Sequence, residues 1–486
     1  MIVPDTVPAA APDDVSRPEP GLFAGTPLGL SRLAPLTDTL AVAASTALRH
    51  RLGPLPAGNP RELTERVAAE LAADGGLLPA QGRGTAAVVE LIGRYAAGTV
   101  DLADPATAAH LQPPVLAVPS AVEAVVAALN ASVDTWDSGP YAVELERQVV
   151  AALADRIGLP AGADGVFTSG GTASNLHALL IARDAVPAGR RPVVFCSAAA
   201  HFSITRAASV LGLAGDAVRA VPVDDAYRMR TDLLADALSA LRRDEVPAAI
   251  VATAGTTDYG TVDPLTDCAR LAREYGCRLH VDAAYGGGAI FSTRLRPLLD
   301  GLHAADSVTI DLHKIGWQPA PASILLVRDA ADFVPHRVDY LNPADDGDAG
   351  YDGLLDRSVL ATTRRADALK VAATFRALGV DGLGALLDRC HDLARHAQHR
   401  IQHEPQLELA AGATLTTVVF RHRDSDSAEL RRRLLRSGTA LIGRTTVPGH
   451  GVCLKLTLLN PLAGTGDIDD LIAAVLAAGE AEGAAA

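Results

Sequence analysis

The chain is poor in aromatic residues, methionine and cysteine, and it has no long apolar run. Aromatic residues make up 4% of the 486 against 49% hydrophobic overall, so Ala, Val and Leu must fill the core. The five cysteines (Cys196, Cys268, Cys277, Cys390 and Cys453) are scattered and odd in number, with no Cys-x-x-Cys. That argues against a disulfide scaffold and a zinc cluster, and it fits a reducing, cytoplasmic setting. The 14 histidines are dispersed without a His-Glu-x-x-His pair, so no metal site is expected. A net charge of −14 argues against nucleic acid as a partner. No stretch has the length and apolarity of a membrane span, so no membrane partner is expected. The first residues carry no basic segment leading into an apolar core, so no signal peptide is expected. The length allows two or three structural units.

Three stretches carry chemistry. Asp306-Ser-Val-Thr-Ile-Asp311-Leu-His313-Lys314 reads as a buried strand running straight into a lysine. Burial of a lysine disfavours its ammonium and frees the amine, a nucleophile toward carbonyls. Taken alone, such a His-Lys pair is more often a surface lysine beyond a strand end. Leu279-His-Val-Asp282-Ala-Ala284-Tyr-Gly-Gly-Gly288 is a second apolar strand, ending in an acid and small residues. A lone Asp there is often a turn former. Val166-Phe-Thr-Ser-Gly-Gly171-Thr172 is a third strand followed by a Gly-rich turn and a helix beginning near Thr172. Backbone N–H groups at a helix start bind anions, and no Gly-Lys-Ser/Thr follows to make this a P-loop. Together the three supply a phosphate cradle, an acid and a lysine, which is what pyridoxal phosphate requires. The lysine takes its aldehyde, the acid keeps its pyridine nitrogen protonated, and Ala284 lets a flat ring approach the backbone.

The rest of the chain places these stretches. Residues 1–25, rich in Pro and Ala, are expected to form a mobile arm. Residues 26–125 are expected to be helical, with helices at Leu36–Arg51, Pro60–Asp74, Gly84–Ala97 and Ser120–Leu129, the last capped by Ser120. A turn-rich connector holding Asp134 and Trp136 leads into a helix at Tyr141–Arg156. Between Asp164 and Val327 strands alternate with helices: strands at Gly165–Ser169, Pro192–Ser197, Ala217–Val223, Ala248–Ala254, Arg278–Ala283, Ser307–Asp311 and Ser323–Val327. This alternation predicts an α/β fold with a doubly wound, mostly parallel seven-stranded sheet, binding ligands beyond the carboxyl ends of its strands. His201 and Thr257 fall on the same rim; each is also readable as an ordinary turn or cap residue. The polar stretch 329–356 reads as one long loop carrying Tyr340, a candidate proton donor on a closing lid. A smaller C-terminal α+β domain over 376–486 is expected, leaving 126–375 as the cofactor domain.

With these motifs the chain resembles the group II pyridoxal-phosphate-dependent amino-acid decarboxylases, of the aspartate aminotransferase-like fold type I. The resemblance runs from about His110 into the C-terminal domain. It is carried by Phe167-Thr-Ser-Gly-Gly-Thr-Ala-Ser-Asn-Leu, His201-Phe-Ser, Ala252-Thr-Ala-Gly-Thr-Thr, Val281-Asp-Ala-Ala and Asp311-Leu-His-Lys. Asn130-Ala-Ser-Val-Asp-Thr-Trp-Asp, Gln318-Pro, Asp339-Tyr-Leu-Asn-Pro, Thr362-Thr-Arg-Arg-Ala-Asp-Ala-Leu-Lys370 and Leu456-Thr-Leu-Leu-Asn-Pro461 are most similar to the 2,4-diaminobutyrate and siderophore-type lysine/ornithine branch. The resemblance implies that Lys314 bonds to the cofactor aldehyde and Asp282 faces the pyridine nitrogen. His201 and Ala284 would lie on opposite ring faces. Gly171, Thr172, His313 and Thr363 would hold the cofactor with Thr257 near the ring, and Asp311 would occupy a position where some relatives have Asn. Tyr340 matches the loop tyrosine that protonates the α-carbon after carbon dioxide leaves. A homodimer with shared sites is implied, Asp134 and Trp136 approaching the substrate side chain, Asp134 from the neighbouring subunit. Relatives of the branch tend to read Asp-Gln-Ser-Pro at Asp137-Ser-Gly-Pro140 and Phe at Ala366, so the substrate can differ from theirs. Two further readings of the same site are a decarboxylating aldehyde-forming enzyme or an aminotransferase, and a decarboxylase of a neutral or acidic amino acid. A non-catalytic scaffold is a third.

Overall fold

The computed structural model describes residues 19–73, 76–338 and 340–483, without the side chains of 481–483. Most of the expected mobile arm, residues 1–18, lies outside the described residues, as do Asp74 and Asp339.

Twelve described strands form two sheets. They are β1 (Thr107–Ala108), β2 (Asp164–Thr168), β3 (Arg191–Ser197), β4 (Val218–Val221), β5 (Glu245–Thr253), β6 (Arg278–Asp282), β7 (Ser307–Asp311), β8 (Ser323–Val327), β9 (Leu407–Ala411), β10 (Thr417–His422), β11 (Leu441–Val447) and β12 (Gly451–Thr457). The seven-stranded sheet runs β2-β8-β7-β6-β5-β3-β4. Its neighbours are parallel except β8, which is antiparallel to both β2 and β7.

The described helices are α1 (Pro27–Arg49), α2 (Pro60–Ala72), α3 (Gly84–Gly98), α4 (Ala117–Leu129), α5 (Pro140–Ile157), α6 (Gly171–Asp184), α7 (Ser203–Val210), α8 (Thr231–Ser239), α9 (Leu265–Tyr275), α10 (Ala344–Asp348), α11 (Ala368–Gln402), α12 (Ser427–Ser437) and α13 (Thr465–Gly483). The large sheet is covered on both faces. Along β3 and β5, Phe195 and Ile250 face the core shared with α5, α8 and α9. Their neighbours Cys196 and Val251 face α6 and α7. Both faces being buried is why these strands read as continuous apolar runs rather than alternating ones.

Three expectations about local structure change. Ser120 is not a cap: α4 starts at Ala117, and the Ser120 hydroxyl donates back to the Leu116 carbonyl at 2.9 Å. A serine within a first turn often makes this bond instead of capping. The first helix starts at Pro27, not Leu36, because Thr26 caps it by accepting the Gly29 N–H, and Pro35 is carried inside. Residues 329–356 are not one loop: they contain a 3₁₀ helix at Ala330–His336 and the short α10. Two helices, expected through Leu378 and from Gly382 to Gln402, do lie on either side of a break at Gly379 (φ 63°, ψ −172°) in α11, a backbone conformation that glycine takes most easily.

The small sheet runs β1-β11-β12-β10-β9. Its edge strand β1 comes from the N-terminal helical segment and lies parallel to β11. Asn460 reinforces the junction, its Nδ2 donating to the Ala103 carbonyl at 2.8 Å. Tyr285, just beyond β6, bonds Thr416 and Thr417 at the start of β10, at 2.7 and 2.9 Å. The small sheet is thereby tied to the rim of the large one.

Candidate active site

Three adjacent parallel strands, β5, β6 and β7, end at Thr253, Asp282 and Asp311. Beyond those ends lies a cavity of about 320 Å³. Nine of the residues singled out from the sequence line it: Gly171, Thr172, His201, Thr257, Asp282, Ala284, Asp311, His313 and Lys314. The register explains the convergence. Asp282 pairs with Thr253 on one side and Thr309 on the other, so the acid sits at the carboxyl end of the middle one of three buried strands.

Lys314 follows β7 through a tight turn, its N–H donating to the Asp311 carbonyl at 3.1 Å. Its Nζ lies 2.8 Å from Asp311 Oδ2, and the side chain keeps 21% of its surface exposed toward the cavity. His313 Nε2 approaches the same oxygen at 3.5 Å. Burial pushes the His313 pKa down, and Asp311 opposes the shift. Asp311 Oδ1 is buried without a hydrogen-bond partner among the described residues.

The opposite wall is built on α6. Its first residue, Gly171, is packed so closely that a Cβ there would lie 2.9 Å from the Ala284 Cβ and 3.2 Å from Asp311 Oδ2. The first-turn N–H groups of a helix have no intrahelical partners, so this end offers donors to an anion. Thr257 is held from behind, since Lys455 Nζ donates to its carbonyl and to Asp258 Oδ1, both at 3.0 Å. His201 stands at the rim against Phe202, ring centroids 4.2 Å apart. Burial lowers the His201 pKa, with Asp282 pulling the other way.

Sequence reasoning missed the polar layer beneath the cavity. Asn175, one turn into α6, donates to Asp282 Oδ2 at 2.8 Å. Asp282 Oδ1 accepts the Ala284 N–H at 3.1 Å. Asn175 in turn meets Ser203, His280 and Thr309. The only sequence signal was placement: Asn175 lies one helical turn beyond Thr172, and His280 lies two residues before Asp282 on the same strand face.

Four expected site residues are not brought to this cavity within one chain. Thr363 is exposed. Asp134 is buried, with its carboxylate accepting the Thr135 N–H at 2.9 Å. Trp136 packs edge-on against Tyr351, centroids 5.2 Å apart. Tyr340 is 67% exposed and lines a separate hollow with His336, Leu355 and Ser358.

A narrow cavity with a partly exposed lysine paired to Asp311, a buried carboxylate at Asp282 and a helix N-terminus fits pyridoxal phosphate. The Gly171 position leaves no room for a side chain between that terminus and Asp311. Residues 104–423 match the model of the pyridoxal-dependent decarboxylase conserved domain. The chain belongs to the pyridoxal-dependent decarboxylase family, as an enzyme that uses pyridoxal phosphate to decarboxylate an amino acid. Among its relatives is the L-2,4-diaminobutyrate decarboxylase of Rhizobium meliloti (strain 1021), 44% identical over 79% of this chain and 80% of that one. The mouse cysteine sulfinic acid decarboxylase is 32% identical over 72% of this chain and 76% of its own. A crystal structure of the glutamate decarboxylase domain of a diaminobutyrate-pyruvate transaminase and L-2,4-diaminobutyrate decarboxylase from Vibrio parahaemolyticus superposes with a TM-score of 0.83. It is 31% identical, and the match covers 94% of this chain and 98% of that one. The fold is fold type I, as the family resemblance implied, with the seven-stranded, mostly parallel sheet that the alternation of strands and helices predicted. Among the described residues no helix is long and apolar enough to cross a membrane.

Proposed function

We propose that the protein decarboxylates a diamino acid, L-2,4-diaminobutyrate first, to carbon dioxide and a diamine. The observation that carries the substrate class is the similarity to the Rhizobium meliloti enzyme across most of both chains. Ornithine and lysine are the longer members of the same class. No observation favours aldehyde formation, amino-group transfer or a neutral or acidic substrate.

Pyridoxal phosphate, when bound, supplies a protonated pyridine ring that accepts the electron pair left behind by carbon dioxide. Lys314 would hold the cofactor through its aldehyde carbon. Asp282 holds the proton on the ring nitrogen. The first-turn N–H groups of α6, with Thr172 and His313, hold the phosphate, and His201 and Ala284 confine the ring between them. Tyr340 returns a proton to the substrate α-carbon, which makes the product an amine.

In this reading residues 126–375 bind the cofactor, 376–486 pack against its rim, and 26–125 cover a second copy of the chain in a homodimer. Exposed Leu36, Val42, Val67, Leu71, Val88 and Leu91 on α1–α3 support that interface. Tyr340 and Asp134, which do not line the cavity of their own chain, would then serve the partner's. The free cysteines support a cytoplasmic setting. Asp134 then binds the distal ammonium by a charge-assisted hydrogen bond.

Product mass spectrometry tests the function. Purified holoenzyme meets diaminobutyrate, ornithine, lysine, glutamate, aspartate and aromatic and branched amino acids. A diamine from one of the first three is expected. An amine from another member discards the substrate class, and a carbonyl product discards the role of Tyr340.

A further inference from the structure

The polar layer under the cavity has a single consistent direction. Asn175 Nδ2 faces two oxygens, Asp282 Oδ2 at 2.8 Å and Ser203 Oγ at 2.9 Å. Its Oδ1 faces Thr309 Oγ1 at 3.1 Å and His280 Nε2 at 2.9 Å. A carboxylate only accepts, so the amide can stand only this way round. His280 Nε2 must then carry its ring proton, and its Nδ1 accepts from Ser307 Oγ at 2.9 Å. Burial fits that single proton, pushing the His280 pKa down to about 4. On the other side Ser203 Oγ accepts a hydrogen bond from Asn175 Nδ2. Its hydroxyl then donates to His201 Nδ1 at 2.9 Å, which also accepts the Ser203 N–H at 3.4 Å. His201 therefore keeps Nδ1 bare and its proton on Nε2.

We propose that Asn175 is the positioning residue of this cavity: it aims Asp282 and, through Ser203, sets the tautomer of His201, while His280 locks the amide from behind. The inference rests on the reading of Asp282 as the partner of the ring nitrogen. Asn175, Asp282 and His280 are all buried, at 1%, 5% and 1% exposure, so losing one of them leaves a buried polar group without its protein partner. An acid at 175 would set two carboxylates against each other. An apolar residue would leave Oδ2 unpartnered and free the carboxylate to turn.

The test compares two probes: pyridoxal phosphate, and its analogue with carbon in place of the ring nitrogen. Dissociation constants are measured on the full-length apoenzyme for the wild type, Asp282→Ala, Asn175→Ala, His280→Leu and His280→Gln. Asn175→Ala and His280→Leu are expected to lose about tenfold or more in affinity for pyridoxal phosphate and little for the analogue. His280→Gln, which keeps an N–H donor, restores most of the loss. Equal loss for both probes means a merely structural role and overturns the proposal; so does no loss for either. If Asn175→Ala does not fold, the leucine and glutamine variants of His280 carry the comparison. Asp282→Ala separates the two layers of argument. If it weakens both probes alike, the reading of Asp282 fails and the proposal with it. If it discriminates and the Asn175 and His280 variants do not, the proposal alone fails. Histidine-selective ¹⁵N NMR is expected to show a bare Nδ1 at His201 in the wild type, and a protonated Nδ1 overturns the relay.

Discussion

Lys314 and Asp311 form an ion pair, 2.8 Å from Nζ to Oδ2, on the wall of the cavity that faces the start of α6. The carboxylate is 2% exposed, so in the apoenzyme the lysine is its principal counter-charge. The same lysine is the group that the chemistry must release toward a carbonyl.

Lys314→Ala is expected to destabilise the apoenzyme by about 2 kcal/mol. That is below the usual cost of breaking a sealed pair, because the lysine is partly exposed. Adding Asp311→Asn should recover most of the loss. Urea unfolding of the two variants checks this; a double variant no more stable than the single one denies the pair its role. Lys314→Ala should also lower activity by about three orders of magnitude or more and leave no cofactor fixed to the chain by borohydride.

Gly171→Ala puts a methyl group 2.9 Å from the Ala284 Cβ. Overpacking of this kind costs about 1–3 kcal/mol. Because it falls at the phosphate end of the cavity, pyridoxal phosphate affinity should drop about tenfold or more. Fluorescence titration of the apoenzyme reads the change, and an unchanged constant would place the phosphate elsewhere.

Asp134→Ala is expected to raise KM for diaminobutyrate about tenfold or more, the loss of a charge-assisted hydrogen bond, with little change for a neutral amino acid. Competition between the two substrates measures the preference directly. An unchanged ratio removes Asp134 from the substrate site.

His177 gives the chain an acid-side weakness. Burial, helped by His336, pushes its pKa down to about 3, and its Nε2 has no hydrogen-bond partner among the described residues. The unfolded chain takes up this proton near pH 6.5, the native one only near 3. Native stability is therefore full above about pH 6.5 and declines as pH falls toward 3, by about 2 kcal/mol at pH 5. His177→Phe should flatten that decline. Urea midpoints at pH 7 and 5 for both proteins decide it, and equal slopes would assign the loss to another group.

Much of this was legible in the sequence, for a physical reason. β7 and β8 were read to the residue because both are short, rich in Val, Ile and Leu or Thr, and bounded by polar or turn residues. The nine cavity-lining residues lie at the ends of such strands or just past them, where the change from apolar to small and polar is abrupt. Asn175, Ser203 and His280 were not legible because each is a polar residue within an apolar element, and its purpose exists only once its partners arrive from other strands. β1 was missed because two residues carry no periodicity; pairing with β11 makes it a strand. Asp134 and Tyr340 gained no support from a single chain, since neither reaches its own cavity.

The stitch between β1 and β11 also sets a timetable. Asn460 and Ala103, bonded beside it, are 357 residues apart. At about 5–20 residues per second, a ribosome needs tens of seconds to deliver the second after the first. During that interval β1 waits unpaired beside the N-terminal helices, its Ala108 and the neighbouring apolar residues without the core that later covers them. A nascent chain of this protein should therefore be a client of holding chaperones until its last hundred residues emerge.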